Sequence, residues 1–110
     1  MKLVRFGLIL KMTTSKLEGD LQKECLRWVK SLPEVWVLKV VGSAVQASGV
    51  PDIIMCINGH FVAVELKRPD GKGRVSDIQI AQIERIRRAG GTAVVVNSFD
   101  AFKEVVNDYR

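Results

Sequence analysis

The chain is poor in the residues that soft-metal and histidine chemistry require. It carries two cysteines and one histidine in 110 residues. Cys25 and Cys56 have no ligand-like spacing, so no zinc site is implied; each falls on an expected apolar face, and both read as reduced core thiols of a cytosolic protein. His60, beside a turn, lacks the second histidine or acid that a histidine-based nuclease or hydrolase would need. No apolar run reaches the length of a membrane span. The opening MKLVRFGLILK has the outline of a signal peptide. Arg5 and Gly7 interrupt it and no small-residue cleavage site follows, so none is expected. Met12-Thr13-Thr14 could be the natural start, with the residues before it an extension or an extra strand for self-association. The expected organisation is thus an extension over 1–13 and one domain over 14–110, too small to hold a separate module for reading base sequence. Acids are outnumbered, 12 against 17 Lys and Arg, for a net charge of +5. That balance suits a polyanionic partner but is weak evidence by itself.

Against these absences stands one dense stretch, Val50 to Lys67, VPDIIMCINGHFVAVELK. Asn58-Gly59 fits a two-residue type I′ turn, so the stretch reads as a β-hairpin with Ile57 facing His60. Carried down the strands, the reading sets Ile53 opposite Leu66 and Asp52 opposite Glu65. Alternation places Asp52, Ile54, Cys56, Phe61, Ala63, Glu65 and Lys67 on one face; Ile53, Met55, Ile57, Val62, Val64 and Leu66 take the other. Two carboxylates and an ammonium then meet at one end of an apolar hairpin. At about 5 Å and an effective dielectric constant of about 20, the carboxylate repulsion is on the order of 3 kcal/mol, which selection for folding alone would remove. A divalent cation between them turns repulsion into coordination. The alternative is that Asp52 caps the strand start after Pro51 while Glu65 and Lys67 are solvated edge charges, a poor fit to Glu65 within the run FVAVEL.

Around the hairpin, caps and periodicity outline the remaining elements. Ser15-Lys16-Leu17-Glu18 is a capping box opening a helix to about Leu32, stopped by Pro33, with Leu17, Leu21, Cys25, Trp28, Val29 and Leu32 as its buried stripe. Glu18 projects within that stripe, with Gln22 a turn further on; it is either the partner of Ser15 or an acid turned towards Asp52 and Glu65. Glu24 points farther away. Glu34 to Val41 reads as a strand, and Gly42 to Gly49 as a loop of small residues. After Lys67, RPDGKGR is expected to be a mobile polar loop: a solvated connection, or a phosphate-gripping loop through Arg68, Lys72 and Arg74. Ser76 caps a helix ending at Gly90-Gly91, whose apolar face gathers Ile78, Ile83, Ile86 and Ala89. Gln79 projects from the middle of that face. Arg85 and Arg88 point away from it. Thr92 to Asn97 is a buried strand, reached by a crossover that makes it parallel to its neighbour. Ser98 caps a last helix through about Asp108, packed by Phe99, Phe102, Val105 and Val106. The order is αβββαβα, an α/β core with a mixed sheet flanked by helices.

Pro51-Asp52, twelve residues, then Glu65-Leu66-Lys67 resembles the PD-(D/E)XK nuclease signature. The longer strings GVPD, VAVELKRPDGK and Ser76-Asp77-Ile78-Gln79 are similar to its VRR-NUC branch, the virus-type replication-repair nucleases. The resemblance runs from about Thr14 onward and implies a restriction-endonuclease-like core. It also implies a cytoplasmic endonuclease of viral or bacterial origin, cutting DNA phosphodiester bonds with Mg²⁺ or Mn²⁺. By the same resemblance Asp52, Glu65 and the backbone carbonyl of Leu66 hold the ion, joined by Glu18. Lys67 positions or deprotonates the attacking water, and Gln79 turns towards the site to complete it. Related sequences commonly place arginines before GVPD, whereas this one has Gln46-Ala47-Ser48; Ser43, Gln46 and Ser48 could still donate hydrogen bonds to DNA. Small size favours a homodimer on branched DNA, such as a four-way junction. Other readings are a non-cleaving nucleic-acid-binding or assembly module, and a sequence-specific restriction-type nuclease.

Overall fold

Apolar alternation in the strands and apolar stripes in the helices meet in a mixed sheet with helices on both sides. The computed structural model of the chain describes residues 14–41 and 48–110, with side chains from Leu17 onward. These residues form helix α1 (Thr14–Lys30), strands β1 (Val35–Lys39), β2 (Ile53–Ile57) and β3 (His60–Leu66), helix α2 (Asp77–Arg88), strand β4 (Thr92–Val96) and helix α3 (Phe99–Tyr109). The expected order αβββαβα is the observed one, with boundaries moved by one to two residues. The expected extension and the Ser15 side chain of the capping box lie outside the described residues, as do Ser43 and Gln46.

The sheet order is β1-β2-β3-β4, antiparallel across the first two pairs and parallel between β3 and β4. Asn58 at φ 51° and Gly59 at φ 82° close the hairpin, as a type I′ turn demands. Ile57 pairs with His60 as expected. Ile53, however, pairs with Val64, not with Leu66. Four residues back from Ile57 along β2 meet four residues on from His60 along β3, so the Ile57–His60 pair itself dictates Ile53–Val64, and the expected Leu66 pairing was a miscount by two; Leu66 runs past the start of β2 and pairs with Val96.

The two faces of the sheet are covered unequally. Ile53, Met55, Ile57, Val62, Val64 and Leu66 are buried beneath α1 and α3, in one cluster with Leu21, Cys25, Val29, Phe102 and Val106. Trp28 meets Phe99 and Phe102 edge-on at centroid separations of 6.0 and 6.1 Å. Full burial of such side chains stabilises by about 1.5–3 kcal/mol each, so this layer dominates the fold. On the other face α2 buries only Ile83 of its own, against Ala63 and Ala93, with Ile54 and Ile86 partly covered. Ile78 is 55% exposed and Ala89 is exposed, contrary to the expected apolar face. Cys56 lies on this thinly covered face and is exposed, so it is not a core thiol, whereas Cys25 is buried and its thiol is pushed up to about 12 by burial and then by Glu24. Polar bonds supplement the sparse packing of α2: Arg87 Nε donates to Ala93 O (2.9 Å) and Gln82 Nε2 to Ser48 O (3.1 Å).

Gly49 explains the first letter of GVPD. Its φ is +79°, and a Cβ there would lie 2.5 Å from Ile78 Cγ2 and 2.8 Å from Ile78 backbone atoms. The chain therefore crosses the first turn of α2 at a distance only glycine permits, three residues before Asp52. Gly49→Ala is expected to destabilise by about 2 kcal/mol or more, from left-handed backbone strain plus overpacking. Urea unfolding measures it; a loss below about half that amount would contradict the close crossing.

Candidate active site

Three local devices bring Asp52, Glu65, Lys67 and Gln79 together at the C-terminal end of β3. Asp52 sits in a bend immediately before β2, and its Oδ2 accepts the Leu66 N–H at 2.8 Å. Its own carbonyl accepts Val40 N–H at 2.8 Å, which ties the bend to the end of β1. The two carboxylates therefore meet as expected, but through a side chain reaching across to the backbone of β3. Glu65 stands on β3, paired with Val95, and is 3% exposed, which removes the reading of a solvated edge charge. Lys67 follows the strand, anchored by its N–H to Val96 O at 2.9 Å.

Gln79 comes from α2 and is fixed by the helix start. Ser76 is the N-cap: its hydroxyl accepts the Gln79 N–H (3.2 Å), and Gln79 Oε1 accepts the Ser76 N–H (3.0 Å), a reciprocal capping box. The same Oε1 accepts from Lys67 Nζ at 2.9 Å, while Nε2 donates to Glu65 Oε2 at 2.7 Å. Two donors on one side and a carboxylate on the other leave a single chemically sensible orientation of the amide. Lys67 Nζ closes the triangle on Glu65 Oε2 at 3.1 Å. Periodicity left open whether this glutamine bonds to backbone or turns to the site; it does both, because it is the third residue of a capped helix.

Glu65 Oε2 is thus fully engaged, whereas Glu65 Oε1 is buried without a hydrogen-bond partner among the described residues. Burial and then the Asp52 charge push the Glu65 carboxyl up to about 7, against the opposing pull of Lys67. In the cation-free protein the folded state keeps a proton that the unfolded chain has lost between pH about 4.5 and 7, so stability falls as pH rises through that window, by on the order of 3 kcal/mol. Urea unfolding on either side of the window should show the drop in the parent and lose it in Glu65→Gln. A parent-minus-variant difference that is flat or rises with pH would contradict this assignment.

Beside Asp52 opens a cleft of roughly 280 Å³ lined by Glu18, Gly19, Gln22, Asp52 and Leu66. Glu18 thus lies on the expected side of α1, and Glu24 lines a different cleft. Sequence reasoning passed over Gly19, where a Cβ would touch nothing within 4 Å, so the cleft has room there. Among the described residues no cluster of three His, Cys, Asp or Glu side chains is assembled, so Glu18 stands at the cleft without joining the two carboxylates as a third clustered acid. Any ion here would take its remaining oxygens from backbone and water. An all-oxygen donor set, with one buried carboxylate oxygen unmatched, fits a hard cation.

The RPDGKGR loop is tied down more firmly than expected. Arg68 Nη2 meets Asp70 Oδ2 at 2.6 Å, and Asp70 Oδ1 accepts Lys72 N–H at 3.0 Å. These partners, the Lys72 N–H foremost, hold the Asp70 carboxyl below its usual range. Lys72 and Arg74 are exposed, as is Ser48.

A sequence profile of the VRR-NUC domain matches residues 18–100. A solved structure described as a VRR_NUC domain is similar to the chain, with a TM-score of 0.68 and 28% identity, covering 84% of this chain and 97% of that one. A second, described as a VRR_NUC domain protein, has a TM-score of 0.72 and 23% identity, covers 90% and 89%, and bears on the fold alone. No curated protein matches the chain. With a profile match across most of its length, converging with the hairpin and capped-glutamine geometry, the chain belongs to the VRR-NUC family of nuclease domains.

Proposed function

We propose that this nuclease domain is a divalent-cation-dependent endonuclease that hydrolyses DNA phosphodiester bonds, choosing its substrate by branched shape and not by base sequence. The observation that carries the reading is the buried Oε1 of Glu65 beside Asp52, without a hydrogen-bond partner among the described residues unless the two carboxylates share a proton. A buried acceptor left unmatched costs about 1–3 kcal/mol, more when charged, and a hard cation is the ligand that offsets it. Asp52, Glu65 and the Leu66 carbonyl would hold Mg²⁺ or Mn²⁺, with Glu18 adding negative charge from the same cleft. When bound, the ion lowers the pKa of an attacking water and offsets the charge that builds on the phosphate. Lys67, held by Glu65 and Gln79, positions that water and donates to the phosphate oxygen on which charge develops. Gln79 keeps Lys67 and Glu65 in fixed relation, since both ends of its amide are committed. Lys72, Arg74 and Ser48, all exposed, supply sequence-independent backbone contacts. Ser43 and Gln46 remain candidates for the same role.

Shape selection follows from size, because so small a core covers a short length of duplex. A twofold homodimer doubles the basic surface and sets two sites on the strands of a symmetric junction. Sedimentation, combined with competition between a four-way junction and linear duplex of equal length, tests this. The expected result is a dimer that binds and cuts the junction in preference. A monomer that cuts both alike, or any consistent cleavage sequence in plain duplex, would contradict it.

A further inference from the structure

The end of β3 has a cleft on each side, and their chemistries are opposite. Successive strand residues face opposite ways, so Leu66 belongs to the cleft with Asp52 and Glu18 while Lys67 belongs to another. This second cleft, roughly 230 Å³, lies between the end of β4 and the 68–75 loop and is lined by Lys67, Arg68, Gly71, Gly73 and Asn97 among others. The first presents two carboxylates. The second presents an ammonium, a guanidinium and a carboxamide, and among the described residues no acid lines it.

Three details make it more than a basic surface. Arg68 Nε is buried and without a partner among the described residues, although Nη2 of the same group is held by Asp70. Asp70, itself oriented by the Lys72 N–H, fixes the guanidinium and leaves its Nε unmatched. Gly73 packs so closely that a Cβ would lie 3.1 Å from Arg68 N and 3.4 Å from Lys67 Cβ, so the loop closes directly on the two cationic residues. Gly71, at φ +76°, turns the loop back with its N–H on Arg68 O at 3.0 Å. A permanently charged planar guanidinium, held rigid by Asp70 at the wall of the cleft, matches an oxyanion.

We infer that this cleft is a phosphate subsite that seats the DNA backbone phosphate next to the one being cut, with Arg68 and Asn97 as donors. The identity of the ligand rests on the nuclease reading above. Because Lys67 lines this cleft and also bonds Glu65, a phosphate seated here lies one side chain from the site of attack. The seat would set which bond along the strand reaches the carboxylates.

Titration of inorganic phosphate into the full chain without metal, followed by amide and side-chain N–H resonances, tests the site apart from any activity. Gly71, Gly73, Arg68 Nε–H and the Asn97 amide should shift together and saturate. Asn97→Asp puts a carboxylate into the cleft at an exposed position and should weaken phosphate by about tenfold or more. With cation present, the same variant should raise KM for DNA by a similar factor and leave kcat within about twofold. Shifts confined to other basic residues, or phosphate affinity unchanged in Asn97→Asp, would overturn the subsite. Cleavage of DNA with these resonances unmoved would sink the subsite alone; phosphate bound here by a chain that cuts no DNA would sink the nuclease reading alone.

Discussion

Asp52→Asn is expected to abolish cleavage, by roughly a thousandfold or more, while the cation-free protein stays as stable as the parent or gains on the order of 1 kcal/mol. The two effects have one cause. Asn keeps an oxygen to accept the Leu66 N–H now bonded to Asp52 Oδ2 at 2.8 Å, so the bend before β2 is preserved. What disappears is a negative charge beside the buried Glu65, the second cause, after burial, of its raised pKa. The folded state loses a repulsion and the cation loses a ligand. Rates measured with Mn²⁺ and urea unfolding without it read the two halves separately. A variant that cuts like the parent, or one that unfolds far more easily, would show that Asp52 serves the fold and not the chemistry.

Lys67→Ala should reduce turnover by about 10²–10³-fold and change DNA affinity by about threefold at most. Among 17 Lys and Arg residues one ammonium contributes little to total phosphate attraction. Its position is what cannot be replaced: Nζ lies 3.1 Å from Glu65 Oε2 and 2.9 Å from Gln79 Oε1, and its side chain is only 15% exposed. Single-turnover rates and binding to an uncut junction separate the effects, and equal losses in both would make Lys67 a gripping residue.

The parts of this site that sequence made legible are those set by local periodicity. Alternation sorted Ile53, Met55 and Ile57 from Ile54 and Cys56, and Asn58-Gly59 placed the turn. Ser76 and Ser98 marked two helix starts because an N-cap hydroxyl is a local device. Alternation says which residues share a face but not how much of that face a helix covers. Cys56 and Ile78 were misplaced for that reason, since α2 is short and buries little beyond Ile83. The meeting of Asp52 with Glu65 was foreseen as a ladder pair, yet it arises from a side chain bonding the Leu66 N–H outside the ladder, a contact no strand pattern encodes. The Arg68–Asp70 pair was missed because it depends on the backbone path of an irregular loop.

Cleavage of a labelled four-way junction as Mn²⁺ is added, by the parent and by Asp52→Asn side by side, tests most directly whether Asp52 and Glu65 hold a catalytic cation. The expected result is cutting by the parent that rises with the ion and stops in chelator, with none by the variant. Cutting by the parent that is undiminished in chelator, or equal cutting by both proteins, would contradict it.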